Sequence, residues 1–511
     1  MSKLIRHSLC DPISYLFLLP VRIQSFLECC YSVGIHYCLW KGIPDVYHSL
    51  VLQIYVTGPE KIPTMNVIRS AILRGRCISP SLSQRSLLKW QQSHSPILCA
   101  GLTTVHNTSD HTETVQDASG FFSEMTAQGK HLEITWKDST LSRYYSLWLR
   151  KNCHCPACRH DNGQLLLPSY SLPASLTVRS TKVHPLSGTL HIEWNEESHE
   201  TVLPLPWLKD NSYSRQSLQE TSRKQDVAVF KGPIKEHKFH DLLTETDDVN
   251  RFLRDLNEDG IALVKEVPCE VGHICKVAEL VAPVQETLYG KTFTVEATED
   301  AINVAYTPVA LELHMDLVYF QSPPGLQLLH CLKFDEQVTG GESLFLDVMH
   351  VAQEMQRLHS DMFATLTRVP ATFQKIHFER KTPAAFIYHR PHITVTPDGK
   401  ISSVIWAPPF EGPLKVPEDD VEPYYEAYRK FSELINTSKL KVSHRLRPGE
   451  CFVFNNLRIL HARHAFALNG GRRHLEGCYV NIDDFKSRVQ VMHMQTGSGE
   501  IVKRVNNGDY T

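Results

Sequence analysis

The sequence predicts a mostly β protein with supporting helices, in which a barrel or sandwich follows a smaller β region built around a cluster of cysteines. Three observations predict it. Leu132, Ile134 and Trp136 alternate with polar residues, and residues 190–194 repeat the pattern, the period of a strand with one buried face. Val249, Phe252, Leu253 and Leu256 fall at helical spacing ahead of Gly260. Beyond residue 326 the chain turns to short apolar runs separated by Gly and Pro, and helices followed by many short strands argue for a β-sandwich or barrel with helical support.

Taken in order, residues 1–125 carry no pattern that assigns a fold. Residues 12–40 are apolar but are broken by Arg22, Gln24 and Glu28, so no membrane-spanning helix is expected there. From Met65 to Ser109 there is no Asp or Glu, while Arg69, Arg74, Arg76, Arg85 and Lys89 stand among Ser and Leu. That is the composition of a mitochondrial presequence, so a mitochondrial address is expected where translation starts at Met65, and a cytoplasmic one otherwise. A small β region spans 126–215, and the polar stretch 209–223 reads as a linker. The larger region covers 225–500. It holds the helix at 249–256, a second helix marked by Ile274, Val277 and Val281, and strands at 326–332 and 343–346 around a turn at Gly340-Gly341 that reads as a hairpin. A helix follows at 421–436, then the turn Pro448-Gly449 and a strand at 451–454.

Composition excludes some classes of function. With a net charge of −3 the chain has no bulk attraction for nucleic acid or acidic membranes. Its 14 Cys are spread over 511 residues, so no dense disulfide framework is expected. Cys153-His-Cys155-Pro-Ala-Cys158 is different, because three thiolates within six positions on a tight loop make strong zinc ligands. With a fourth ligand the shell would be closed and the site structural; His154 and His160 are local candidates.

His314-Met315-Asp316 is the second cluster. In an extended strand, side chains at i and i+2 share a side, so this His and Asp can grip one metal ion. His461, just after the strand at 451–454, is placed for a neighbouring strand to supply the third ligand. Two imidazoles and one carboxylate on one face leave three coordination positions open, which suits non-haem Fe(II) that must bind both a co-substrate and O2. A 2-oxoglutarate chelating that iron would need a cation for its far carboxylate. Arg473 supplies one, since a guanidinium holds a carboxylate with two parallel hydrogen bonds, and Ser343 is a candidate second contact.

From about 130 to 490 the chain resembles the gamma-butyrobetaine dioxygenase and trimethyllysine dioxygenase family of carnitine biosynthesis. The resemblance rests on Trp148-Leu-Arg-Lys-Asn-Cys-His-Cys155, Asn303-Val-Ala-Tyr-Thr307, His314-Met-Asp316, Pro323-Pro-Gly-Leu-Gln-Leu-Leu-His-Cys331, Val338-Thr-Gly-Gly341, Leu457-Arg-Ile-Leu-His461 and Arg473-His-Leu-Glu-Gly477. It implies a double-stranded β-helix (jelly-roll) catalytic domain preceded by a small zinc-binding β domain. It also implies Fe(II), 2-oxoglutarate, ascorbate, structural zinc and a homodimer, with O2 and a small trimethylammonium compound as the other reactants. His314, Asp316 and His461 match the iron ligands, Arg473 the 2-oxoglutarate arginine, and His199 the zinc histidine. Tyr289, Phe293, Tyr306 and Tyr479 match an aromatic cage, which binds quaternary ammonium groups through the ring quadrupoles.

Asn303 matches an Asn of the butyrobetaine branch, where the trimethyllysine branch tends to have Asp. The expected reaction is therefore hydroxylation of gamma-butyrobetaine to L-carnitine, with trimethyllysine or another trimethylammonium compound as the second reading. A silent scaffold that keeps only the fold and zinc has no need of the triad and Arg473 together. Several residues depart from the family pattern. Phe293 replaces a Trp, Ala407-Pro408 stands where a paired Asn is usual, Asn455-Asn456-Leu457 replaces Asp-Asn-Trp, and Met315 replaces Thr between the first two ligands.

Overall fold

The computed structural model describes residues 120–226, 228–296, 307–379 and 382–496, together with the backbone of the short strands His36–Tyr37, Ile54–Tyr55 and Thr112–Gln116. The basic segment 65–109, and with it the presequence expectation, lies outside the described residues, as do Asn303 and Tyr306. The chain divides into two units, 1–100 and 101–511. In the first, His36–Tyr37 pairs antiparallel with Ile54–Tyr55.

The second unit begins with a four-stranded sheet of β1 (Thr112–Gln116), β2 (Phe122–Gln128), β3 (His131–Trp136) and β4 (Leu141–Tyr145) in that order. Helix α1 (Ser146–Lys151) leads into the cysteine loop, and a three-stranded sheet follows: β5 (Val178–His184), β6 (Thr189–Trp194) and β7 (Thr201–Pro204). The alternation read in the sequence is the burial pattern of the strands. Leu132, Ile134 and Trp136 of β3 and Leu190, Ile192 and Trp194 of β6 fill one shared core.

Helix α2 (Arg215–Gln225) corrects the linker expected at 209–223. Ser214 caps it by accepting from the Ser217 amide, and no residue of the helix is buried. Its half-buried face is polar (Ser217, Thr221, Ser222 and Gln225), so there is no apolar stripe for periodicity to reveal.

The larger region is two facing sheets with helices outside them, a jelly-roll. Strand β8 (Lys235–Lys238) and helix α3 (Thr246–Asp259) open it. Val249, Phe252, Leu253 and Leu256 of α3 are all buried, and Gly260 ends the helix at φ 75°, a left-handed cap that glycine adopts at little cost. Next come β9 (Ile261–Lys265), α4 (His273–Glu279), β10 (Val284–Gln285), β11 (Thr292–Glu296), β12 (Leu311–His314), β13 (Leu326–Phe334) and β14 (Ser343–Asp347). Helices α5 (Val348–Leu358), α6 (Ser360–Arg368) and α7 (Glu418–Thr437) follow. The last elements are β15 (Val442–His444), β16 (Cys451–Asn455), β17 (Ile459–Arg463), β18 (Arg473–Val480) and α8 (Ile482–Thr496). The larger sheet runs β8-β9-β16-β13-β18-β10, with β11 also on β18; the smaller runs β12-β17-β14-β15.

Between the sheets Phe345 packs edge-on against Phe452 and Phe454, with ring centres 4.6 and 5.4 Å apart. Helices α3, α4 and α8 bury their apolar faces on the outside of the larger sheet, and α5, α6 and α7 do so on the smaller. The expected hairpin across Gly340-Gly341 is not one. β13 is already paired on both sides, by β16 and β18, so the turn instead carries the chain into the other sheet. Gly340 is needed at that crossing, for at φ 75° an added Cβ would come within 2.2 Å of the Ala465 carbonyl oxygen.

One buried ion pair joins these parts. Arg458 donates to Asp347 Oδ2 through Nε and Nη2 at 3.0 and 2.7 Å, with both side chains 1% exposed. It also donates to the carbonyls of Glu258 and Ala228, while Asp347 accepts from the amides of Phe230 and Met349. Removing one partner would leave a charge without water or a counter-ion. Arg458→Ala is expected to lower the free energy of unfolding by about 3–5 kcal/mol, read from guanidinium denaturation.

Candidate metal centre and its surroundings

β12 and β17 run antiparallel, and His314 stands directly opposite His461. Directly opposed residues share a face, and the two imidazole rings lie 4.3 Å apart. His314 Nδ1 lies 2.7 Å from the Glu312 carbonyl, to which its N–H donates, so that Nε2 is free to act as a ligand. Asp316 is not on the strand, as the His-x-Asp reading expected. β12 ends at His314, and the chain turns at Leu317 with φ 57°. Asn456 holds Asp316 in place instead: its Oδ1 accepts from the Asp316 amide at 2.9 Å, and its Nδ2 donates to the carbonyls of Asp316 at 3.0 Å and Pro324 at 3.2 Å.

The Asp316 carboxylate faces both imidazoles. Oδ1 is 3.5 Å from His314 Nε2, and Oδ2 is 3.9 Å from His461 Nε2. Oδ2 also accepts from Gln327 Nε2 and from the Tyr479 hydroxyl, each at 2.8 Å. Burial works against the Asp316 charge, but hydrogen bonding with His314 and electrostatic attraction to the facing imidazoles outweigh it and hold the carboxyl below its usual range. Burial, then the neighbouring His314, pushes His461 down to about 3. One donor atom from each of the three residues lies within 4.8 Å of the others, and two imidazoles with a carboxylate are a donor set that suits Fe(II).

Arg473 opens β18 and is buried, and its Nε has no hydrogen-bond partner among the described residues. Phe334 and Phe466 flank it, each ring centre 5.3 Å from the guanidinium carbon. Arg463, two residues beyond His461, lies over the same Phe466 at 4.8 Å, and Arg445 lies over Phe334 at 4.0 Å. Burial, then the Arg463 charge, pushes Arg473 down to about 10. Arg473 and Arg463 are buried beside the Phe466 ring, a desolvated positive setting suited to a carboxylate, while Arg445 is part-exposed and paired with Glu342 at 3.6 Å. Ser343 is buried directly opposite Arg463 across β14 and β17.

Three of the five expected substrate residues come together. Phe293 stacks on Tyr479 at 5.2 Å and 26°, and Tyr289 lies 6.0 Å from Phe293. Gly477 is directly opposite Phe293, and a Cβ there would meet the ring at 2.2 Å, so only glycine leaves room for it. Ala407 is fully buried, and Pro408 begins a short turn of helix that brings Phe410 within 6.3 Å of the His314 ring.

The cysteine cluster also assembles. His199 Nε2 lies 3.4, 3.7 and 3.4 Å from the sulfurs of Cys153, Cys155 and Cys158. His154 packs on Trp207 and His160 accepts from the Asn162 amide, so neither local alternative joins the group. Three sulfurs and one imidazole are a closed tetrahedral donor set for zinc.

Gln327, Asn456, Phe410 and Arg463 were not singled out as site residues. Gln327 left a signal, a lone amide in the apolar run 326–332, and Asn456 is the retained amide of a motif that otherwise departs from the family. Phe410 and Arg463 left none.

Residues 223–479 match the family described as taurine catabolism dioxygenase TauD, TfdA family, over half of the chain. The chain is a dioxygenase of the TauD, TfdA family. Residues 123–186 of this dioxygenase match the family described as gamma-butyrobetaine hydroxylase-like, N-terminal. Its relatives include a gamma-butyrobetaine dioxygenase of Pseudomonas sp., 29% identical over 71% of this chain and 93% of that one. The gamma-butyrobetaine dioxygenase of Homo sapiens is 27% identical over 73% and 97%. A trimethyllysine dioxygenase of Gallus gallus, named as mitochondrial, is 29% identical over 72% and 87%.

Asn456→Ala would strip Asp316 and Pro324 of buried partners. We expect the variant to lose about 1–3 kcal/mol of stability, read from its thermal unfolding midpoint.

Proposed function

We propose that this dioxygenase uses Fe(II) and 2-oxoglutarate to hydroxylate gamma-butyrobetaine to L-carnitine, giving succinate and CO2 as co-products. The observation that carries the reading is the convergence of His314, Asp316 and His461 on one point, on the same sheet that bears Arg463 of the buried arginine pocket. The three ligands would leave half the coordination sphere to the co-substrate and O2. Bound iron would supply the activation of O2, with 2-oxoglutarate as the source of electrons, and ascorbate would keep it reduced.

The protein's own part is to hold and to exclude. Arg473, with Ser343 as a second contact, grips the far carboxylate of 2-oxoglutarate and so orients its keto-acid end. Tyr289, Phe293 and Tyr479, joined by Tyr306, offer ring faces to the trimethylammonium group. The cation then fixes which carbon of the substrate faces the metal, and this positioning replaces a search in solution. Aromatic walls and burial keep water from the reacting centre.

Asn303 supports this substrate, and gamma-butyrobetaine dioxygenases stand among the relatives beside trimethyllysine dioxygenases. Trimethyllysine is the second reading. Ala407-Pro408 counts against the butyrobetaine branch's carboxylate site, because the buried Ala407 offers no polar side chain there. Cys153, Cys155, Cys158 and His199 are assigned to a structural zinc in a small domain at 126–215, ahead of the catalytic domain at 225–500. The basic, acid-free segment from Met65 supports a mitochondrial address, as does the mitochondrial name of the Gallus gallus relative.

The test is anaerobic reconstitution with Fe(II), ascorbate and 2-oxoglutarate, followed by air and measurement of succinate and carnitine. Carnitine formation that requires butyrobetaine and disappears in His314→Ala supports the reading; succinate formation stimulated by trimethyllysine alone replaces the substrate and keeps the chemistry. Arg473→Met is expected to raise the KM for 2-oxoglutarate by roughly 10- to 100-fold, the worth of a charge-assisted hydrogen bond. Cys158→Ser should leave the purified protein with less than one equivalent of zinc by elemental analysis, with a lower melting temperature.

A further inference from the structure

Tyr479 takes part in two arrangements at once. Its ring stacks on Phe293 in the aromatic group assigned to the substrate cation, and its hydroxyl donates to Asp316 Oδ2 at 2.8 Å. Gln327 Nε2 donates to the same oxygen at the same distance. The two donors are direct cross-strand partners on β13 and β18, so they leave one face of the larger sheet side by side and reach across to the smaller. With both donors on Oδ2, Oδ1 is the oxygen without them and the nearer to an imidazole, 3.5 Å from His314 Nε2 against 3.9 Å between Oδ2 and His461 Nε2. Meanwhile Asn456 grips the backbone of Asp316 from a third direction.

A carboxylate can bind a metal through one oxygen or through both. Two hydrogen bonds on the same oxygen occupy its lone pairs and favour ligation by the other alone. That matters where three positions must stay open, since two-oxygen ligation would take one of them. We propose that the Tyr479 hydroxyl and the Gln327 amide are a paired positioning device that makes Asp316 a one-oxygen ligand through Oδ1. In Tyr479 this task belongs to the hydroxyl, separate from the ring's task of facing the substrate cation. The metal half of the proposal depends only on the triad; the separation from the ring rests on the cation reading given above.

Tyr479→Phe divides the two roles, because it keeps the ring and removes the donor. Full-length protein with its zinc retained is titrated with Mn(II), and free Mn(II) is followed by electron paramagnetic resonance. Mn(II) is chosen because a hard ion favours the oxygen and nitrogen ligands of the triad over thiolates. Tyr479→Phe and Gln327→Met are each expected to bind Mn(II) roughly 10- to 100-fold more weakly, the usual cost of losing a partner that orients a ligand. In turnover, Tyr479→Phe should lower kcat, with recovery as Fe(II) is raised, while the KM for the trimethylammonium substrate stays within about threefold of the native value because the ring face remains.

Native Mn(II) affinity in both variants overturns the proposal. A raised substrate KM with unchanged metal binding also overturns it, by placing the hydroxyl in the substrate site. If Tyr479→Phe does not fold, Gln327→Met decides the metal arm. If the native protein responds to no trimethylammonium compound, the cation reading fails, and the Mn(II) titration still decides whether the pair positions Asp316.

Discussion

The pairing of β12 with β17 is the constraint on which the centre depends. β12 has only four residues and lies at the edge of its sheet, with an irregularity between Leu311 and His314. That irregularity brings His314 opposite His461, and a slip of one residue would turn one imidazole to the other side. β17 is held on its far side by β14, where His461 faces Phe345 and Arg463 faces Ser343. A single strand thus sets both an imidazole of the triad and the buried Arg463 beside Arg473. The larger sheet adds Gln327 and Tyr479 from its own register, so the centre lies where two independent hydrogen-bond ladders meet.

Charge burial is the cost of this arrangement. Asp347 and Arg458 answer each other and can be sealed away completely. Arg473 has no carboxylate answering it among the described residues, and aromatic faces only soften its desolvation. The same distinction separates a structural group from a binding one elsewhere. His392 is fully buried but bonds to the Ile405 carbonyl and to Tyr424, which completes its needs within the core. His461 instead turns Nε2 toward the Asp316 carboxylate at 3.9 Å, and its buried Nδ1 has no hydrogen-bond partner among the described residues.

Much of this was legible in the residues, for physical reasons. Alternation disclosed β3 and β6 because each buries one face, and the spacing of Val249, Phe252, Leu253 and Leu256 disclosed α3 because one stripe meets the core. The two clusters were readable as candidates because few residue types bind metals, and the structure brings their members together. Contacts made through backbone geometry were not: Asp316 sits beyond the strand, and Asn456 reaches it from 140 residues away. Helix α2 was hidden by its uniform polarity. The supposed hairpin at Gly340-Gly341 failed because nearness in sequence favours local pairing, whereas β13 had already taken distant partners on both sides. Which oxygen of Asp316 carries the hydrogen bonds depends on two strands brought together from 327 and 479, and no local pattern records that.

The arginine pocket also bears on how a catalytic cycle ends. Decarboxylation removes carbon from the keto-acid end of 2-oxoglutarate and leaves the far carboxylate untouched. On the proposed assignment of Arg473, succinate would keep the group that this guanidinium holds, with the Arg463 charge close by. What it would lose is the two-point keto-acid chelate, so the guanidinium would carry a larger share of its hold. An anchor strong enough to select a dicarboxylate is also a brake on product release, and accumulated succinate becomes a competitor for the next 2-oxoglutarate. Turnover then answers to the ratio of the two acids as well as to the supply of substrate.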